Sequence, residues 1–212
     1  MKKIMVAAVQ MDTQNDKTAN WQQMDTFIDE AAAKGAQLVA FPEVVNILSE
    51  EPQYAETIPG PTTALLAEKA RMHHIWIHGG SISEVNPEGT RTYNTTVLIN
   101  PQGEIVARYS KLHNFDMTLP DGSSVRESAR KEPGHEIVTV KTELGHLGFA
   151  ICYDMRFPEL FRLMRLEGVE IIFLPANFTM PTGKDHWEAI LRTRAIENGC
   201  YIVAPNQVGQ KE

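Results

Sequence analysis

The chain has 212 residues, 42% of them hydrophobic and 22% charged, with a formal net charge of −7. This is globular composition, long enough to bury about 70% of the unfolded surface, and it excludes a disordered or fibrous chain. The acidic balance argues against a nucleic-acid or anionic-membrane surface, which would need a basic patch.

In chain order, Ile4–Gln10 is predicted as a first buried strand. The opening MKKIMVAAVQ imitates a signal peptide, but its apolar stretch is short and Gln10 ends it. Lys17–Lys34 is predicted as a helix with Trp21, Met24, Phe27, Ile28 and Ala31 on one face. Gln37–Phe41 is a short strand, Thr62–His73 a helix with Thr62 as N-cap, and Ile75–Ile82 a strand. Thr92–Asn100 and Glu104–Tyr109 flank Pro101-Gln102-Gly103 and form a hairpin. Residues 112 to 134 are polar and irregular, the pattern of a long functional loop. His135–Val140 and His146–Ile151 form a second hairpin. A helix from Pro158 to Gly168, a strand Val169–Leu174, a helix Lys184–Asn198 and a strand Tyr201–Ala204 follow. Hairpins mixed with βα units indicate a layered α/β fold, in one domain, since no linker interrupts the chain. No run approaches the roughly 18 apolar residues of a membrane helix. Two cysteines make no disulfide framework and suit a reducing, cytoplasmic setting. Without a secretion signal, the sequons at Asn94 and Asn177 are taken as chance.

Three strands end in proline: VAFPE (39–43), IFLPAN (172–177) and IVAPN (202–206). Proline cannot donate to a ladder, so pairing stops there. Glu43, Asn177 and Asn206 lie just beyond, and Cys152 ends a fourth strand in the same way. If those strands are neighbours, the four side chains converge where open α/β sheets place their sites. Around Cys152, in GFAICYDMRFPE (148–159), two features would favour a thiolate: Arg156, and a helix starting near Pro158. The competing reading is a buried structural cysteine, which fits Cys200 better. None of the seven histidines sits in a metal or Cys/His signature. Gly79-Gly80-Ser81 lacks the lysine and spacing of a phosphate loop.

Together, VAFPE, YSKLHNFD (109–116) and GFAICYDMRFPE resemble the three signature regions of the nitrilase, or carbon–nitrogen hydrolase, superfamily. MVAAVQM, INPQGEI and TGKDHWEAILRTRAIENGCYIVAPNQVG extend the resemblance over essentially the whole chain. KLHNFD and CYDMRFPE look most like the Nit-type amidases, ω-amidase and deaminated-glutathione amidase. The resemblance implies a four-layer α-β-β-α sandwich. It implies Cys152 as nucleophile, Glu43 as general base, Lys111 as oxyanion stabiliser and Glu127 as the lysine's support. The Tyr153 amide would complete the oxyanion hole, and Asn177 would lie near the substrate. Arg156 would clamp a substrate carboxylate, or else form an ion pair with Asp154 or Glu159. His186 and Trp187 are assigned to helix packing. The implied reaction hydrolyses a small amide through a Cys152 thioester and water, releases ammonia and needs no cofactor. A homodimer or higher homo-oligomer is implied as well. Within the class, an N-carbamoyl amidohydrolase shares the same triad. Family members continue past Gln207-Val208-Gly209 into further strands, so residues 1–212 are expected to form a single domain whose sandwich lacks its C-terminal strands, and an inactive domain of that kind is the remaining alternative.

Overall fold

The computed structural model describes residues 3–49, 51–118, 122 and 124–211. Parts of the expected 112–134 loop, at 119–121 and 123, lie outside these residues, as do the first two residues and the last. Along the chain run β1 (Val6–Ala8), α1 (Lys17–Ala33), β2 (Leu38–Ala40), α2 (Pro61–His73), β3 (Trp76–His78) and β4 (Ile82–Glu84). The long hairpin β5 (Tyr93–Ile99) and β6 (Ile105–Ser110) comes next, then the ribbon β7 (Asp116–Thr118) and β8 (Ser124–Arg126). The second half contains β9 (Thr139–Thr142), β10 (Gly145–Phe149), α3 (Pro158–Leu166), β11 (Ile171–Phe173), α4 (Met180–Asn198) and β12 (Tyr201–Val203).

The strands form two main sheets. In the first, β1, β2 and β3 are parallel, β5 joins β3 antiparallel, and both β4 and β6 pair with β5. In the second, the order is β12-β11-β10-β9, with β10, β11 and β12 parallel and β9 antiparallel. The period-2 alternation of a strand sends successive side chains to opposite faces, and in the central strands β2, β3 and β11 both faces are dry. Leu38, Ala40, Trp76, Leu98, Leu147, Phe149, Ile151, Ile171 and Phe173 meet in a layer between the sheets. Val39, Phe41, Ile75 and Ile77 point the other way, onto Met24, Ile28, Leu66 and Ala70 of α1 and α2. Ala150, Ile172 and Leu174 likewise face Leu160, Phe161 and Met164 of α3, with α4 packed beside them. Three apolar layers therefore separate four structural layers, the α-β-β-α sandwich. Truncating an inter-sheet ring such as Phe149 to alanine would cost about 3–5 kcal/mol.

Local chemistry explains the element ends. Asp16 caps α1 by accepting the Ala19 N–H at 3.0 Å. Gly199, at φ +57°, closes α4 in the left-handed conformation. Gly148 lets α3 close on β10, because a Cβ there would lie 2.7 Å from the Met164 sulfur. Four sequence expectations shift. The N-cap of α2 is Gly60, while the Thr62 hydroxyl donates to Glu56 at 2.8 Å. The expected strand Ile75–Ile82 breaks at Gly79-Gly80-Ser81 into β3 and β4. The loop after Lys111 contains the β7–β8 ribbon. Finally, α4 starts four residues early, at Met180 rather than Lys184, because Pro181 suits a first helical turn.

Candidate active site

Glu43 follows β2, Lys111 follows β6, Cys152 follows β10 and Asn177 lies beyond β11. All four line one cavity of about 120 Å³, together with Phe115, Glu127, Arg130, Tyr153, Arg156 and Phe178. The expected convergence at strand ends thus occurs, but across two sheets: β2 and β6 belong to one, β10 and β11 to the other. Asn206 does not join it. Its side chain accepts the Phe178 amide at 2.9 Å and faces a neighbouring groove.

The Glu43 carboxylate is buried and held by three donors. Its Oε1 accepts from Asn94 Nδ2 at 2.8 Å and Lys111 Nζ at 3.2 Å, and its Oε2 accepts the Asn177 amide at 2.8 Å. The backbone behind it is tightly determined. Gly80, at φ +65°, approaches so closely that a Cβ would sit 2.2 Å from the Pro42 carbonyl oxygen. The Ser81 hydroxyl accepts the Val44 amide at 3.1 Å, and Gln207 donates to the Glu43 carbonyl at 2.8 Å. Val44 itself has φ +58°, a left-handed value unusual for a β-branched residue. Such a conformation costs about 1–3 kcal/mol and persists only where surrounding contacts fix it.

Lys111 is buried between two carboxylates. Its ammonium donates to Glu127 Oε2 at 2.9 Å and Oε1 at 3.1 Å, and more weakly to Glu43. Burial would lower its pKa, but the Glu43 and Glu127 carboxylates outweigh this and hold it well above the usual lysine value. Glu127 is fixed in turn by the Phe115 amide, which donates to its Oε2 at 2.6 Å. Asn94 Nδ2 also reaches Glu127 Oε1, at 3.5 Å.

Cys152 is the first residue of a 3₁₀ turn, Cys152–Arg156, at φ +45°. α3 begins at Pro158, as expected, and Cys152 itself sits on this elbow ahead of it. The thiol pKa is raised, not lowered. Burial is the main cause, the negative Glu43 carboxylate adds to it, and Lys111 opposes it. The resting nucleophile is therefore a neutral thiol beside a carboxylate, and it needs a base at the moment of attack. The Cys152 and Asp154 amides are already used, on the Pro175 and Ile151 carbonyls. Among the described residues no acceptor takes the Tyr153 N–H. That leaves one amide and one ammonium available to a nascent oxyanion.

Two features escaped sequence reasoning. Asn94, part of a sequon in the sequence, links Glu43 to Glu127, and its signal was a polar residue inside an otherwise buried strand. Asp154, expected as a partner for Arg156, is fully buried instead. It accepts from the Ile151 amide at 2.8 Å, Tyr109 OH at 2.7 Å and the His113 amide at 3.0 Å, with His113 Nδ1 at 2.7 Å. It thereby ties the lysine-bearing strand end to the cysteine elbow. Arg156 makes no ion pair with Asp154 or Glu159. Its guanidinium donates to His186 Nδ1 at 3.1 Å and lies over the Tyr153 and Phe178 rings at 5.6 and 5.7 Å. Among the described residues there is no cluster of three or more potential metal ligands, and no helix is long and apolar enough to cross a membrane.

The carbon-nitrogen hydrolase family model matches residues 5–212. The chain is 41% identical to deaminated glutathione amidase of Synechocystis over 99% of its length and 79% of that protein. It is 36% identical to human omega-amidase NIT2, over 95% of this chain and 74% of the relative. The crystal structure of Saccharomyces cerevisiae Nit3, a nitrilase-superfamily member, superposes with a TM-score of 0.88 at 32% identity. That superposition covers 98% of this chain and 76% of Nit3.

Proposed function

Because this chain belongs to the carbon–nitrogen hydrolase family, we propose that its pocket hydrolyses a small amide bearing a carboxylate, of the ω-amide or deaminated-glutathione type. The observation that carries this reading is the placement of a neutral thiol, a triply held carboxylate and a buried ammonium around one small cavity. Cys152 attacks the amide carbon while Glu43 takes the thiol proton. Negative charge moves onto the carbonyl oxygen, where Lys111 and the Tyr153 N–H receive it. Protonation of Glu43 weakens its contact with Lys111, the longest of the lysine's three carboxylate contacts, and so releases an N–H towards the oxyanion. The proton then passes to the leaving nitrogen, and ammonia departs from a Cys152 thioester. Glu43 next deprotonates the water that hydrolyses the thioester, which is two-step covalent catalysis. Glu127 keeps Lys111 in place and charged throughout.

The carboxylate preference rests on Arg156, a pocket-lining guanidinium with no acidic partner among the described residues. The names of the relatives, deaminated glutathione amidase and omega-amidase, point the same way. The whole chain would act as one catalytic domain in a reducing cytoplasm, where the thiol stays free. A homodimer is supported by exposed apolar side chains on α4 and next to it, with Met180 at 77%, Ile196 at 80% and Tyr201 at 65% exposure. The test is ammonia release from 2-oxoglutaramate, deaminated glutathione, glutamine and an N-carbamoyl amino acid, using wild type and Cys152→Ala. Activity on the first two that vanishes in the variant is expected. A folded wild type that releases no ammonia from any of them would overturn the reading.

A further inference from the structure

His186 was expected only to pack α4 against the core, yet among the described residues its ring nitrogen makes the single hydrogen bond of the Arg156 side chain. A guanidinium has donors and no acceptor. His186 Nδ1 must therefore present its lone pair, so the ring is neutral when this contact forms. The remainder of the guanidinium is held by rings: Tyr153 on its own turn, and Phe178, which packs at 5.3 Å against Trp187, the neighbour of His186 on α4. Arg156 Nε is buried and has no partner among the described residues. The acid nearest in sequence, Asp154, is already held by the Ile151 amide, Tyr109 and His113. The arginine is thus oriented without being neutralised. A carboxylate at position 186 would hold it equally well but would cancel the charge that a substrate anion must meet.

We propose that His186 is a positioning residue for substrate selection: its neutral Nδ1 fixes the Arg156 guanidinium towards the pocket and so sets a preference for amides with a distal carboxylate. This rests on the amidase reading above, in which Arg156 receives that carboxylate. His186 touches neither the thiol nor the scissile bond, so its contribution belongs in substrate binding, not in the chemical step.

The experiment compares glutaramate, the monoamide of glutaric acid, with pentanamide, an uncharged amide of the same length, in wild type and three variants. His186→Leu removes the acceptor, His186→Asn restores one near the Nδ1 position, and His186→Glu supplies an anion. Losing one charge-assisted hydrogen bond predicts about a tenfold rise in KM for glutaramate in His186→Leu. kcat for glutaramate and both constants for pentanamide should stay within about twofold, the KM-specific pattern of lost substrate binding. His186→Asn should recover most of the preference. His186→Glu should abolish it while keeping the fold. An unchanged glutaramate KM in a folded His186→Leu, or equal losses on both amides, overturns the inference. Calorimetric binding of glutaramate to Cys152→Ala proteins with and without His186→Leu gives the same comparison without turnover. If wild type hydrolyses neither amide, the amidase reading fails on its own, and that binding pair still decides the role of His186.

Discussion

Consider acidifying the protein with and without His78. This ring lies in β3 within the inter-sheet layer, wholly buried, over Phe173 at 5.0 Å and Phe149 at 5.9 Å. Its Nε2 meets the Thr96 hydroxyl at 3.1 Å, and Nδ1 has no partner among the described residues. Burial pushes its pKa down from 6.5 to about 3. The folded state thus excludes the proton that the unfolded chain binds. The associated stability is complete above pH 6.5 and is lost progressively as pH falls towards 3. Between pH 7 and pH 5 the linkage amounts to about 2 kcal/mol from this single residue, and to roughly 4–5 kcal/mol once both states are fully protonated. His78→Phe keeps the stacking and removes the titration. It leaves the Thr96 hydroxyl unpaired, a cost of about 1 kcal/mol that does not depend on pH. Urea unfolding followed by tryptophan fluorescence at both pH values should show wild type losing about 2 kcal/mol more than the variant. Equal losses would refute the claim that His78 is held neutral by the fold.

Other outcomes follow from the site. Lys111→Met leaves Glu43 and Glu127 facing each other without a cation. It should lower kcat by about 10²–10³-fold and destabilise the protein by about 3–5 kcal/mol at neutral pH. Tyr109→Phe removes one donor from the buried Asp154 charge and should cost about 1.5–3 kcal/mol by denaturant unfolding. It should also reduce kcat at constant KM, because the lysine strand and cysteine elbow lose part of their tie. Gly80→Ala forces a Cβ into the Pro42 carbonyl at a positive φ, and steady-state assays should show at least a tenfold drop in kcat as Glu43 moves.

The parts of the site that were legible in the sequence are those that sit on local punctuation. A proline ends a strand, the next polar residue falls at the rim, and Glu43, Cys152 and Asn177 were found that way. Lys111 also sits where a buried strand stops, but taken singly that is an ordinary rim position, and its role, like that of Glu127, came from the family resemblance. Asn94 and Asp154 were not legible, because the side chains they join lie 33 to 51 residues from Asn94 and, for Tyr109 and His113, 41 to 45 from Asp154, and no spacing rule connects them. The direction of the thiol shift was misjudged because neighbouring charges can be read from a sequence and depth of burial cannot. Asn177 was foreseen at the site, but it acts on Glu43 through its amide, a group that every residue but proline carries. The start of α4 was placed four residues late, although Pro181 marks a first helical turn.

Glu43 is gripped from both halves of the sandwich: Asn94 and Lys111 on one of its oxygens, the Asn177 amide on the other. The base stands on one sheet and the nucleophile on its opposite number, so the sulfur-to-carboxylate distance is a readout of how the two sheets are seated. A slip of half an ångström along that dry seam would leave circular dichroism and melting temperature nearly untouched, yet it would pull acid from thiol. Turnover should therefore be the most sensitive gauge of inter-sheet alignment in this molecule. Mild denaturant or a trimmed ring such as Phe173 should silence it well before the fold opens.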